Sequence, residues 1–298
     1  ELRGIIGPCN ASSPARERAM TADSTPSACK ACGRAMAKIN GRTLRLSPNY
    51  RAKLKRLHEK RWLDICPKCE RQNLFDDQQV ALPFCDWDDV MRTANDPDSA
   101  FVLEIAGIPF TRQALQCGVI LAGGEDDENS TSWSTQRVER LAEHYRQEPS
   151  PLAAASLAEA VCNWGRGGRV RGNLKKRHSH HLGHAMHAWM QAALHATSDE
   201  DAIAPASEKR PYGLPKGLAI SFGSKHLRML DPNRFAVLDA VLSEGLGYAL
   251  NPKGYALFMR QFRDFHAKLS DSGWPYSLAQ TESGLFMLVR QHVRSDPS

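Results

Sequence analysis

Residues 212–239 read Tyr212-Gly213-Leu214-Pro215-Lys216-Gly217-Leu218-Ala219-Ile220-Ser221-Phe222-Gly223-Ser224-Lys225-His226-Leu227-Arg228-Met229-Leu230-Asp231-Pro232-Asn233-Arg234-Phe235-Ala236-Val237-Leu238-Asp239. A turn punctuated by Gly and Pro leads into a helix over 218–230, and Pro232 follows its end because proline cannot continue a helix. The apolar run 235–238 then delivers Asp239 to the start of another helix. Lys225 on the first helix and Asp239 at the N-terminus of the next can face one cleft, where the helix's first N–H groups would favour the aspartate as an anion.

Outward from this stretch the apolar spacing is helical on both sides. Val138, Leu141 and Tyr145 recur at helical intervals, and so do Leu152, Leu157 and Val161 after the start signal Ser150-Pro151. Leu182, Met186, Trp189, Met190 and Leu194 mark a further helix, and 239–250, 252–269 and 276–293 complete the set. Residues 135–298 therefore read as a mainly α domain with no internal repeat. Upstream, 123–134 (GGEDDENSTSWS) is acidic, small and polar and is expected to be a surface loop. The runs Phe101–Ile108 and Ala114–Leu121 are too short for periodicity to separate strand from helix, so 87–134 is assigned as a connecting or bracing segment.

The chain of 298 residues is 42% hydrophobic and 24% charged, enough to bury a core, which excludes wholesale disorder and collagen-like structure. No run approaches the roughly 18 apolar residues of a membrane span. Residues 1–27 are rich in Ser, Ala, Pro and Arg without a hydrophobic period and are expected to be a disordered leader. The first Met is Met20, preceded by no apolar signal, so 1–19 is expected to be read-through ahead of a start there. A cytoplasmic location is the corresponding expectation.

Two close cysteine pairs, Cys29-Lys30-Ala31-Cys32 and Cys66-Pro67-Lys68-Cys69, fall in a module over 28–86. Each CxxC turn aims two thiolates at one point, and four thiolates close the tetrahedral shell of a structural zinc site. A catalytic zinc would need an open coordination position that four cysteines do not leave. A thioredoxin-type redox pair normally occurs once and in a βαβ setting absent here, and a disulfide framework conflicts with the intracellular character. Cys85 reads as an alternative ligand or, better, a buried small hydrophobe.

The formal charge is +6, from 39 Lys and Arg against 33 Asp and Glu, and its pattern matters more than its total. Between the cysteine pairs, 51–61 carries Lys53 and Arg56 among six basic residues beside Leu54 and Leu57, a shape suited to tracking a phosphate backbone or, equally, to a solvated helix face. A second segment, 164–177, combines Arg166, Arg169, Arg171, Lys175, Lys176 and Arg177 with four glycines. It reads either as a phosphate-contacting stretch or as a flexible surface loop, and it lacks the Gly-Lys-Ser/Thr ending of a Walker A loop. His178, His180, His181, His184 and His187 crowd a helix start, but without a supporting carboxylate they favour a polar face over a metal site.

Gly223-Ser224-Lys225 opening into an apolar helix, Leu230-Asp231-Pro232, and Phe235-Ala236-Val237-Leu238-Asp239 together resemble the helix-hairpin-helix DNA glycosylase superfamily. The likeness is to its bacterial proteins with an 8-oxoguanine DNA glycosylase-like fold. Asn163-Trp164-Gly165 followed by basic residues is similar to that group too, and the resemblance covers roughly 150–295. It implies a helical glycosylase-like domain preceded by a small zinc-ribbon-like module. It also implies that Lys225 attacks C1′ of a flipped nucleotide in double-stranded DNA, expels a modified or damaged base and forms a Schiff base open to strand cleavage, while Asp239 stabilises positive charge on the sugar. The basic segments would contact phosphates. The family's hairpin reads Leu-Pro-Gly-Val-Gly with the lysine two residues beyond, whereas Leu214-Pro215-Lys216-Gly217 is followed by a longer path to Lys225, and Pro205 interrupts the preceding segment. The alternative is a non-catalytic, zinc-containing nucleic-acid-binding protein on the same fold.

Overall fold

A computed structural model describes residues 62–65, 72–75, 81–82, 102–106, 108–128 and 134–294. The described chain is mainly α. Short antiparallel strands β1 (Trp62–Ile65), β2 (Gln72–Phe75) and β3 (Ala81–Leu82) form a three-stranded sheet in the order β1-β2-β3. Strands β4 (Val102–Ile105) and β5 (Ile108–Thr111) form an antiparallel ribbon with Val102 opposite Thr111 and Ile105 opposite Ile108.

Ten helices follow among the described residues: α1 (Arg112–Glu128), α2 (Thr135–Gln147), α3 (Pro151–Trp164), α4 (Gly168–His178), α5 (Leu182–Leu194), α6 (Asp199–Ile203), α7 (Ile220–Leu230), α8 (Ala240–Leu246), α9 (Pro252–Asp271) and α10 (Leu278–Arg294). Short polar side chains cap several helix starts, Ser150 among them as its Ser-Pro signal implies. Ser134 accepts from Arg137 N–H, Ser150 from Ala153 N–H with Pro151 in the first turn, and Asn251 from Gly254 N–H with Pro252 following.

Two expectations are corrected. The acidic stretch 123–134 is not a loop throughout, because α1 runs on to Glu128; propagating an existing helix costs far less than nucleating one, so polar residues ride its last turns. The glycine-rich basic segment is not a flexible loop either. Only Gly165–Gly167 form a turn, and 168–178 is helical, with Leu174 buried to anchor it.

Residues 102–128, expected to connect or brace, contribute Ile105, Ile108, Phe110, Leu115 and Val119 to the same core as the later helices. Phe110 meets Phe265 of α9 edge-on at 6.4 Å. Helices α1 and α10 cross at glycines: a Cβ on Gly118 would lie 2.4 Å from Gly284 O, and one on Gly284 2.9 Å from both Leu115 O and Val119 N. Neither backbone has room to yield. Gly284→Ala is therefore expected to lower unfolding stability by about 1–3 kcal/mol in urea titration, the cost of overpacking a closed contact. An unchanged midpoint would show that the helices can part.

Candidate active site

The site is built where α7, the start of α8 and the turn after α3 meet. Helix α7 carries Lys225 and keeps its register because its last carbonyls are held: Arg146 Nη1 donates to Met229 O (3.2 Å) and Leu230 O (2.6 Å). The extended, fully buried run Phe235–Leu238 is pinned at three points. Ser224 Oγ accepts Leu238 N–H at 3.1 Å, Tyr255 Oη donates to Ala236 O at 3.1 Å, and Met259 Sδ accepts Ala236 N–H at 3.3 Å. These bonds satisfy backbone groups that no sheet pairs, and they fix where the run ends.

It ends at Asp239. The carboxylate uses Oδ1 to accept Val241 N–H (3.0 Å) and Leu242 N–H (3.2 Å), capping α8, and Oδ2 to accept from Lys225 Nζ at 2.9 Å. Side-chain exposure is 10% for Lys225 and 14% for Asp239, so the two residues singled out as catalytic converge in a nearly closed site. Lys225 Nζ also lies 5.6 Å from the Phe222 ring centroid.

The turn Trp164-Gly165-Arg166-Gly167 packs directly on this pair. A Cβ on Gly165 would be 2.9 Å from Phe222 and 3.0 Å from Lys225 Cδ, and one on Gly167 2.3 Å from Phe222. Close approach, not unusual backbone geometry, is what demands glycine here. Trp164 Nε1 donates to Thr135 Oγ1 at 3.0 Å, and the Arg228 guanidinium stands 5.5 Å over its ring.

Three further polar groups are buried in this part of the core without a sequence motif to announce them. Arg228, one turn beyond Lys225 and 3% exposed, donates from Nη1 to Glu139 at 3.1 Å, while its Nε has no hydrogen-bond partner among the described residues. Glu282 of α10 is 4% exposed; burial pushes its carboxyl up to about 7, with Arg228 pulling the other way, Asp239 adding to the rise and Lys225 opposing it. His226 is fully buried, with Nδ1 donating to Phe222 O at 2.6 Å, Nε2 unpartnered and the ring edge-on to Trp189. Burial pushes its imidazole down to about 4.

Beyond Arg228 a half-open cleft of about 760 Å³ lies between α1, α2, the end of α7 and α10, lined among others by Thr135, Glu139, Arg140, Met229, Gln280 and Ser283. Its residues are scattered over four helices, which is why sequence reading did not find it.

Of the basic residues singled out, Arg166, Arg169, Lys176 and Arg177 are exposed around α4. Arg171 and Lys175 are engaged by Glu159, at 3.2 and 3.4 Å, and Arg171 also by Asn163. The C-terminus of α4 abuts the turn before α7, where His178 Nε2 meets Lys216 O at 2.8 Å. Pro205 does interrupt: α6 is only Asp199–Ile203, and Pro205 bridges to Leu214 in place of a tight hairpin. Phe235, Tyr248 and Trp274 are core, whereas Trp164 and Phe222 border the site.

Among the crowded histidines, His180 and His181 lie with ring centroids 4.0 Å apart, His187 Nδ1 pairs with Tyr145 Oη at 3.0 Å, and no group of three or more His, Cys, Asp or Glu among the described residues could hold a metal ion. Cys29, Cys32, Cys66, Cys69, Cys85, Lys53 and Arg56 lie outside the described residues. No described helix is long and apolar enough to cross a membrane. No protein-family model matches the sequence, and no curated protein or solved structure matches it significantly.

His226 gives a pH prediction. Its folded-state pKa is depressed, so its stability contribution is complete above about pH 6.5 and is lost as pH falls toward 4. Relative to His226→Leu, the wild type should lose about 1.4 kcal/mol per pH unit across that window in urea titrations. Parallel pH profiles for the two proteins would contradict the assignment.

Proposed function

We propose that the helical domain is a DNA glycosylase that excises a modified or damaged base from double-stranded DNA, with Lys225 as nucleophile and Asp239 as its electrostatic partner. The observation that carries this reading is the 2.9 Å approach of Lys225 Nζ to Asp239 Oδ2 in a nearly closed site beside a glycine turn. The resemblance of the same residues to the helix-hairpin-helix glycosylases supplies the chemistry. The lysine passes its proton to Asp239 or solvent, and the free amine pair attacks C1′. The N-glycosidic bond breaks with its electron pair leaving on the base, which takes up a proton. Opening of the sugar ring then gives the Schiff base, which water hydrolyses or β-elimination converts to a strand break.

Extrusion of the nucleotide would bring C1′ to Lys225. Exposed Arg166, Arg169, Lys176 and Arg177, on and just before α4, are suited to the flanking phosphates. We propose further that Cys29, Cys32, Cys66 and Cys69 hold one structural zinc ion and that Lys53 and Arg56 extend the DNA contact. The second reading is a non-catalytic DNA-binding protein, favoured by the same pair, since a capped, buried Lys–Asp bridge also serves as a structural clamp.

Base release from duplexes carrying 8-oxoguanine and other modified bases separates them. Lys225→Gln is expected to abolish release and Asp239→Asn to slow it by about 10²–10³-fold, with duplex binding retained in both. Binding without release by wild type on every duplex would favour the clamp. Removing Arg169 and Lys176 together should lower the slope of log K against log salt by roughly 2. Elemental analysis is expected to give one zinc per chain, lost with Cys29→Ser and Cys66→Ser; metal-free folded protein would refute the zinc module.

A further inference from the structure

Helix α3 ends in a bonding pattern that ordinarily closes on glycine. Gly167 N–H reaches back to Cys162 O at 2.7 Å and Arg166 N–H to Asn163 O at 3.0 Å, the paired bonds that satisfy a helix's last carbonyls when the residue beyond the cap turns left-handed. At the end of α9 the same two bonds recur, Trp274 N–H to Leu269 O and Gly273 N–H to Ser270 O, and the left-handed residue there is Gly273, at φ 79°. In α3 that residue is Arg166, at φ 53°. A side chain at such an angle crowds its own backbone, a cost that glycine escapes. Glycines stand on either side, at 165 and 167, but not at the position whose backbone favours one.

The arginine is kept in a turn that lies against the lysine. A Cβ on Gly165 would fall 3.0 Å from Lys225 Cδ and 3.2 Å from Lys225 Cε, and Cβ atoms on Gly165 and Gly167 would both collide with the Phe222 ring, so the backbone on each side of Arg166 is seated against α7. Arg166 itself is exposed. Its guanidinium makes no hydrogen bond or ion pair among the described residues, whereas Arg171 and Lys175 of α4 are engaged by Glu159. The turn therefore fixes where this cation starts relative to Lys225, and leaves its donors free for a ligand.

We propose that Arg166 is a positioning residue: it holds a phosphate of the target nucleotide itself and so sets that nucleotide's sugar over Lys225. C1′ and the phosphate of one nucleotide are joined through a single sugar, and Arg166 is one residue from the glycine that lies against the lysine's stem. Holding the phosphate thus defines where the reacting carbon sits. The planar guanidinium takes two phosphate oxygens at once, which orients the group as well as attracting it. Arg169, Lys176 and Arg177, further along the chain on α4, serve phosphates more distant from the target. This role rests on the glycosylase reading, because it needs a nucleotide brought to Lys225.

The test pairs a variant with a single neutralised phosphate. Binding of the full chain is measured on duplexes carrying a tetrahydrofuran abasic analogue, with an uncharged methylphosphonate at either phosphate of that nucleotide or several nucleotides away. Arg166→Gly is expected to weaken binding by about 10–100-fold on the ordinary backbone. That loss should largely vanish when the analogue's own phosphate is already neutral, and persist when only a distant one is. The urea midpoint of Arg166→Gly should equal or exceed that of wild type, since glycine suits the backbone angle, and Arg166→Lys should recover part of the affinity without the two-oxygen contact. Unweakened binding by Arg166→Gly, or a loss that is the same at every methylphosphonate position, would overturn the proposal; so would a lowered urea midpoint beside unchanged binding, which marks a structural role alone. Failure of the glycosylase reading is seen in wild type before any variant is compared, as equal binding to plain and analogue-bearing duplex, and removes the proposal with it.

Discussion

The structure depends on keeping a lysine and an aspartate together where water scarcely reaches them. An ion pair at 10% and 14% side-chain exposure survives only if each charge has its partner and the remaining hydrogen-bonding positions are filled. Asp239 meets that demand by dividing its oxygens: Oδ1 caps α8 and Oδ2 takes the ammonium. Both elements must then be positioned to a fraction of an ångström. Ser224, Tyr255 and Met259 pin the run that carries Asp239, and Arg146 fixes the end of the helix that carries Lys225.

The surrounding fold serves this constraint. The glycine turn after α3 lets Trp164 and its neighbours close over Phe222 and Lys225, and α4 then leads away carrying the exposed cations. Its end touches the turn that precedes α7. Continuity from basic surface to buried amine is what a protein acting on a sugar within a phosphate backbone requires, and it is the physical content of the proposed glycosylase chemistry. The resemblance assigns Lys225 and Asp239 their roles, and the geometry adds Arg228, buried one turn beyond the lysine, as a further cation on the same helix.

Several helices after residue 134 were legible because their start signals are local: Ser150-Pro151 and Asp239 each sit beside the N–H groups they serve. The Lys225 and Asp239 pairing was legible for the same reason, since one helix and one short run separate the residues. The continuation of α1 to Glu128 was not, because helix propagation overrode a composition that reads as loop. The helical state of 168–178 was hidden by its glycines, and the burial of Leu174 that offsets them is a tertiary fact. Glu282 carried no signal at all. In Thr281-Glu282-Ser283 it resembles any surface glutamate, and only the packing of α10 turns it inward. The shortness of α6 was signalled by Pro205, a local cue of the same kind as the caps.

The most direct test of the central claim is covalent. Duplexes carrying modified bases, and abasic duplex, would be incubated with the full chain under borohydride, and the trapped product mapped by peptide mass spectrometry. The account predicts a reduced adduct on Lys225, present in wild type and missing in Lys225→Gln. An adduct on another residue, or none on any duplex that the protein binds, would contradict the assignment of Lys225 as the nucleophile.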